Sequence, residues 1–282
     1  DDSQAGFLAP PEYVNELIKT ITEISPMRQI ARVRATTQKS VQMPSRSATF
    51  SAAWVAEQGT RSETTGYTTQ LEEIPTHEQY ALVDISSQML EDSVFNLESE
   101  MQGEFAEQFA KNEGNAFVAG DAIGKPEGIT VNSNVGTTNS GSGTALTGDG
   151  LIDLVHAIKS DYGRNGTFVF NRSTLAAIRQ LKDTAGQYVF QAGMMLTAGV
   201  PNTILGYPYV EMPDMPDVAG SAKPVAFGDF SRGYMIVDRV SLSVLRDPFT
   251  QATSGNVRYV ARARVGGQVI LPEAIRTQTI SA

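Results

Sequence analysis

Few side chains in this 282-residue chain are of a type and spacing that supports catalysis. Histidine occurs only at His77 and His156, and each reads as a surface or core residue, not as a base. No G-x-S-x-G elbow is present, so a serine hydrolase of the strand–turn–helix type has no nucleophile. Ser142, in a Gly/Ser-rich stretch, is the serine such an enzyme would use, and the sequence offers it no base. The absence of Cys excludes disulfides, thiolate zinc sites and cysteine nucleophiles, and fits a reducing compartment. No His/Asp/Glu pair has metal-ligand spacing. Glu72 and Glu73 are adjacent, so on a strand they point to opposite faces and form no acid/base dyad. Gly120-Asp121-Ala122-Ile123-Gly124-Lys125 has the outline of a phosphate-binding loop. Its spacing is short by one, Pro126 replaces the Ser/Thr that would hold magnesium, and it follows a helical pattern instead of a strand. Gly266-Gly267 fits a hairpin turn better than a dinucleotide site. The expectation is a chain with no catalytic, cofactor-binding or metal-binding residues.

Length allows one large domain or two modest ones around a sizeable core. No run of 18 apolar residues exists, so no membrane partner is expected, and no signal peptide is read. The net charge of −9 is unevenly spread. Residues 1–50 carry net +1 and residues 128–282 net +2, whereas residues 57–127 hold fifteen acidic groups against three basic ones. A nucleic-acid reader needs a basic stripe, and only Arg28, Arg32, Arg34, Lys39 and Arg46 approach one. These are read as a solvated arm meeting acidic neighbours.

The elements centre on residues 93–130. Leu97, Met101, Phe105 and Phe109 recur every four residues, and Ala106, Ala110 and Phe117 widen the stripe, predicting a long amphipathic helix over 96–119. Asn96 suits the N-cap, Glu98 and Glu100 the positive end of the dipole, and Gly120 a left-handed stop. Residues 1–11 read as an extended arm, 12–24 as a short helix, 27–41 as extended, and 44–78 as a long projecting hairpin. Tyr80–Ser86 is a strand and Ser87–Asp92 starts a helix. The stretch 132–150 is expected to be a mobile loop. A compact α/β pattern follows: a helix over 151–158, strand 167–170, a helix over 172–181 capped by Asn171 or Ser173, and short strands at 188–190 and 203–209. Strands at 224–227 and 234–237 flank a turn at Gly228-Asp229. Strands 242–245, 257–265 and 268–271 end the chain, the last two joined by a turn at Gly266-Gly267. The class is α+β, without internal repeats.

Phe50, Trp54 and Tyr67 fall on the projecting hairpin. A thin extension cannot bury large aromatics by itself, so they are expected to meet another subunit. An arm and a hairpin that neighbouring copies must bury are features of an assembly protein.

Six segments, in order, resemble the major capsid proteins of tailed bacteriophages and gene transfer agents, with the Hong Kong 97-like capsid fold. They are GFLAPPEYVNELI at the start, AAWVAEQGTRSET on the hairpin, the passage from Ser86 to Ile129, FVFNRSTLAAIRQLKDTAGQYVF, ILGYPYVEMPDMP and VAFGDFSRGYMIVDR. The resemblance implies an N-arm over 1–35, an E-loop hairpin over 36–80 and a P domain with the long spine helix over 81–148. An A domain over 149–240 and P-domain return strands over 241–282 complete it. It implies a non-enzymatic subunit that self-assembles as pentamers and hexamers into an icosahedral shell enclosing double-stranded DNA without sequence-specific binding. Portal and decoration proteins are the implied partners, and the virion or phage-like particle, assembled in the bacterial host cytoplasm, the implied location. An encapsulin-like nanocompartment enclosing protein cargo is the alternative. The start at Asp1 is consistent with removal of an upstream scaffolding segment, as is frequent in the family. Some members crosslink through an E-loop Lys, but residues 40–80 contain none, so no isopeptide crosslinks are expected. The candidate inter-subunit contacts are Phe50, Trp54 and Tyr67 as apolar anchors, with Glu57, Arg61, Glu63, Glu72 and Glu73 for ion pairs to Arg28, Arg32 and Arg34.

Overall fold

The computed structural model describes residues 23–48, 50–64, 66, 68–93, 96–182, 186–188 and 203–281. In chain order it begins with α1 (Met27–Ile30), β1 (Arg32–Ala35), the hairpin strands β2 (Ser40–Ala48) and β3 (Thr68–Pro75), and β4 (His77–Ser86). Next come α2 (Ser87–Asp92), the long α3 (Leu97–Ala119), β5 (Gly136–Asn139), α4 (Gly148–His156) and α5 (Ser160–Gly163). Then β6 (Thr167–Phe170), α6 (Arg172–Arg179), β7 (Thr203–Ile204), β8 (Tyr207–Glu211) and β9 (Val225–Gly228) follow. The last are α7 (Phe230–Gly233), β10 (Tyr234–Asp247), β11 (Asn256–Val269) and β12 (Ile275–Thr279). The helix expected at 12–24 lies outside the described residues except for its end.

The four-residue stripe of α3 explains its position. Phe105 and Phe109 are buried against Val257, Tyr259, Ala261 and Ala263 of β11, with Met101 packed beside them. Small side chains at 261 and 263 let the helix approach the sheet closely. Asn96 caps α3 as expected, accepting a hydrogen bond from Ser99 N at 3.2 Å. Beneath α3 the strands run β1-β10-β11-β4. Near its C-terminal end, Phe117 and Val118 enter the central core with Met27, Ile236, Val265 and Ile275. Truncating a buried Phe such as Phe117 to Ala costs about 3–5 kcal/mol by this logic.

A second sheet runs β5-β12-β9-β6-β8-β7. Its strands β6 and β9 are buried throughout or nearly so, and α4 and α6 cover them with Leu151, Leu154, Leu175 and Ile178. Thr147 caps α4 through Gly150 N, and Asn171 caps α6 through Thr174 N at 2.7 Å. Parallel and antiparallel pairs occur in both sheets, in keeping with the α+β class.

Several local expectations are corrected. Residues 27–41 are not uniformly extended, because α1 forms first and buries Met27 completely. The stretch 132–150 is no mobile loop: it holds β5, paired in parallel with β12, and it buries Ser140 and Leu146. The strands expected at 234–237 and 242–245 are one strand, β10, with register shifts between Asp238 and Ser243. Gly228-Asp229 leads into α7, with Asp229 as its cap. Of the strand expected at 188–190, Tyr188 makes an isolated bridge to Lys182, and the next two residues are outside the described set.

Two glycine readings also change. Gly120 ends α3 in an extended conformation, with φ −68° and ψ 145°, not a left-handed one. It is glycine because a Cβ there would stand 2.0 Å from the Pro126 carbonyl oxygen. Gly266 and Gly267 make no turn; they lie inside β11, which continues to Val269. A Cβ on Gly266 would meet the Pro75 carbonyl oxygen at 2.3 Å.

Candidate assembly surfaces

The β2–β3 hairpin is built to project. Its antiparallel register runs from Ser40↔Pro75 to Ala48↔Thr68, with a shift between Arg46 and Ala48. Nine residues of strand span about 30 Å. Among its described residues, the buried apolar side chains are at the root, where Val41 and Ile74 lie on Met235 and Val237 of β10. Thr76 fixes the exit, donating from N and Oγ1 to the Lys39 carbonyl at 3.1 and 2.8 Å. Beyond the root, Leu71 is 61% exposed and Phe50 67%, while Trp54 is fully exposed. Glu57, Arg61 and Glu63 share this exposed tip, Tyr67 lies outside the described residues, and Glu72 accepts from Gln70 Nε2 at 2.6 Å. Glu72 is half-buried and Glu73 exposed, on opposite faces of β3.

The basic candidates separate. Arg32 and Arg34 are exposed on β1, an edge strand. Arg28 is committed inside the chain, where its guanidinium bridges Glu113 and Asp238 at 2.7 and 2.8 Å. Those two carboxylates lie 85 and 210 residues away in sequence, so no local pattern announces the contact.

Sequence reasoning missed a second surface, the face of the β10-β11-β4 sheet opposite α3. Register places Leu245, Val260 and Leu82 in one row across it. Neighbouring rows are Ser243–Arg262–Tyr80 and Asp247–Arg258–Asp84. Tyr80 is 76% exposed, Leu245 63% and Leu82 48%. Arg258 makes a two-pronged contact with Asp84, Nε to Oδ1 at 2.7 Å and Nη2 to Oδ2 at 2.8 Å, which holds the Asp84 carboxyl below its ordinary range. Among the described residues, Arg262 donates only to Ser243 Oγ, at 3.4 Å. The available signal was the alternation in YALVDIS and RYVARARV, which puts large side chains on both faces of the strands.

Among the described residues, features of the kind that support catalysis do not converge. Burial lowers His77, and His156 is exposed at the end of α4. The Ser142 peptide is folded around Ser140, whose Oγ bonds Ser142 O at 2.6 Å. Lys125 reaches Asp121 of its own turn at 3.5 Å. Among the described residues, no group of three His, Asp or Glu side chains gathers as a metal site, and no helix is long and apolar enough to cross a membrane. A cleft of about 950 Å³ opens between the hairpin and the body, with Arg46 and Glu72 on one side and Lys159, Arg232 and Glu273 on the other.

Comparison with known proteins gives a uniform picture. A family model described as the phage capsid family matches residues 5–280. The solved capsid of a native GTA particle is 32% identical with a TM-score of 0.89, over 99% of this chain and 98% of that one. The capsid of an empty GTA particle matches over the same shares, with 32% identity and a TM-score of 0.88. A structure from Microbacterium phage Oxtober96 shares the fold at a TM-score of 0.78 and 15% identity, over 100% of this chain and 99% of that one. A search of curated proteins gave no match.

Proposed function

Because the chain belongs to the phage capsid family, as a major capsid protein of a phage or gene transfer agent, we propose that it assembles as pentamers and hexamers into an icosahedral shell enclosing packaged double-stranded DNA. Residues 1–35 serve as the N-arm, 36–80 as the E-loop, and 81–148 with 241–282 as the P domain. Residues 149–240 serve as the A domain around each capsomer centre. The observation that carries the reading is Trp54, fully exposed on a hairpin that cannot cover it.

On this reading the hairpin tip of one copy lies on the exposed sheet face of the next. Trp54 and Phe50 meet the Leu82–Val260–Leu245 row, while the acidic hairpin residues Glu57, Glu63 and Glu73 approach Arg262 and the edge residues Arg32 and Arg34. Rim pairs of this kind contribute ~0–1 kcal/mol each, so apolar burial sets strength and the charges set register. The acidic balance leaves DNA weakly held inside, free to slide during packaging. Portal and decoration proteins complete the particle.

Trp54→Ala and Leu245→Asp provide the test. Each should lower the yield of closed particles in light scattering while the melting of the unassembled chain stays within about 0.5 kcal/mol of wild type, since both positions are exposed. Undiminished particle yield in both variants would refute the proposed contact.

A further inference from the structure

Both ends of the hairpin converge on one charged cluster. Arg28 of α1, which precedes β1 and the hairpin, donates from Nε and Nη2 to Glu113 Oε2 at 3.1 and 2.7 Å. Its Nη1 and Nη2 donate to the two Asp238 oxygens at 2.8 and 2.9 Å. Gln79, shortly after β3, donates from Nε2 to Glu113 Oε1 at 2.9 Å. Asp238 follows Val237, on which the hairpin root rests, and its carbonyl accepts from Thr36 N at 2.8 Å. β10 loses register directly after Asp238. The chain entering the hairpin, the chain leaving it and the bulge beneath it are thus tied to Glu113 on α3.

We propose that this cluster is a charge latch that sets the angle at which the β2–β3 hairpin leaves the body, with Glu113 as its positioning residue. Without the Glu113 carboxylate, Arg28 is held by Asp238 alone and the hairpin root loosens. Two cavities of about 290 and 300 Å³ flank Glu113, so the side chain has space to leave its partner. The charged and titratable groups around it are Arg28 of α1, Asp238 of β10, Arg264 of β11, His77 and Glu78 of β4, and Lys125 after α3. Burial pushes the Glu113 carboxyl up despite the pull of Arg28, whereas Arg28 is raised, first by Asp238 and then by Glu113. Both move upward because Arg28 gains from two carboxylates, while Glu113 loses more to burial than one guanidinium restores. In a shell, the hairpin angle decides whether Trp54 reaches its neighbour, but the latch itself does not depend on that reading.

Amide hydrogen exchange on the full chain tests the latch, with oligomeric state recorded on the same samples so that an assembly defect is seen separately. At neutral pH, Glu113→Gln should speed exchange at Val41, Ile74 and Thr76 about tenfold, with Phe105 and Phe109 unchanged. Equal rates in wild type and Glu113→Gln, or uniform acceleration along the whole chain, would overturn the proposal. If Glu113→Gln fails to fold, Asp238→Asn breaks the other arm of the fork and must give the same local signature. If that variant also fails to fold, the cluster is core support and the latch is wrong.

Discussion

Gly267 lies under the hydroxyl of Tyr234: a Cβ on the glycine would stand 2.6 Å from Tyr234 Oη and 3.0 Å from the Phe117 ring. The same hydroxyl donates to the Glu127 carbonyl at 2.6 Å, and Phe117 meets Tyr234 edge-on with ring centroids 5.9 Å apart. This contact joins β11, β10, α3 and the turn after α3 at the centre of the molecule. Gly267→Ala is expected to destabilise the chain by about 1–3 kcal/mol through overpacking. Gly103→Ala provides the contrast. Gly103 sits in the exposed middle of α3 with nothing near its Cβ position, so alanine there should stabilise by about 0.5–1 kcal/mol. Chemical denaturation of both variants checks the opposite signs.

Asn171 is a cap with a second task. Besides accepting from Thr174 N, its amide donates to the Met215 carbonyl at 3.0 Å and to Asp217 Oδ1 at 2.7 Å. It pins the loop containing buried Met212 and Met215 to α6. Asn171→Ala should cost about 2–3 kcal/mol, more than the ~1 kcal/mol expected for the exposed cap Asn96→Ala. Equal losses in denaturation would show that the loop contacts contribute nothing.

These contacts separate what was readable in the sequence from what was not. The helix α3 and its Asn96 cap were legible because period and cap are local. The projecting hairpin was legible because polar strands with isolated aromatics bury little. Gly266-Gly267 was misread as a turn because glycine serves equally for bending and for close approach. Only Pro75, Tyr234 and Phe117, distant in sequence, decide between them. The stretch 132–150 looked mobile because its polar residues become ordered only by pairing with β12, more than a hundred residues later. At the candidate surfaces, the exposure of Trp54 was legible. The exposed row of Leu82, Val260 and Leu245 was not, since it exists only once three strands are in register.

Acid should weaken the fold through depressed carboxylates. Arg258 holds Asp84 below its ordinary value, and Lys159 followed by Tyr162 does the same for Glu273. Such a group stabilises the folded chain above its unfolded pKa, about 4, and the contribution fades as pH falls through the lower folded value. Glu113 acts oppositely, because burial raises it and its ionised form costs stability above its folded value. Melting temperature is expected to fall below about pH 4, with a shallower fall in Asp84→Asn. Parallel pH profiles for the two proteins would remove the Asp84–Arg258 pair from this explanation.

Duplex DNA should not be bound appreciably by the unassembled chain at physiological salt. Its net charge is −9, and the arginines on the exposed sheet face alternate with Asp84 and Asp247 instead of forming a continuous stripe. Fluorescence anisotropy with a labelled duplex checks this. A micromolar complex weakening steeply with added salt would contradict it.

Cryo-electron microscopy of the purified chain, with its mass measured in solution, decides whether this subunit builds a shell. Closed icosahedral particles, or pentamers and hexamers on the way to them, with the Trp54 hairpin of each copy lying over the Leu82–Leu245 face of its neighbour, are the predicted result. A chain that stays monomeric at every concentration and salt tested would contradict it.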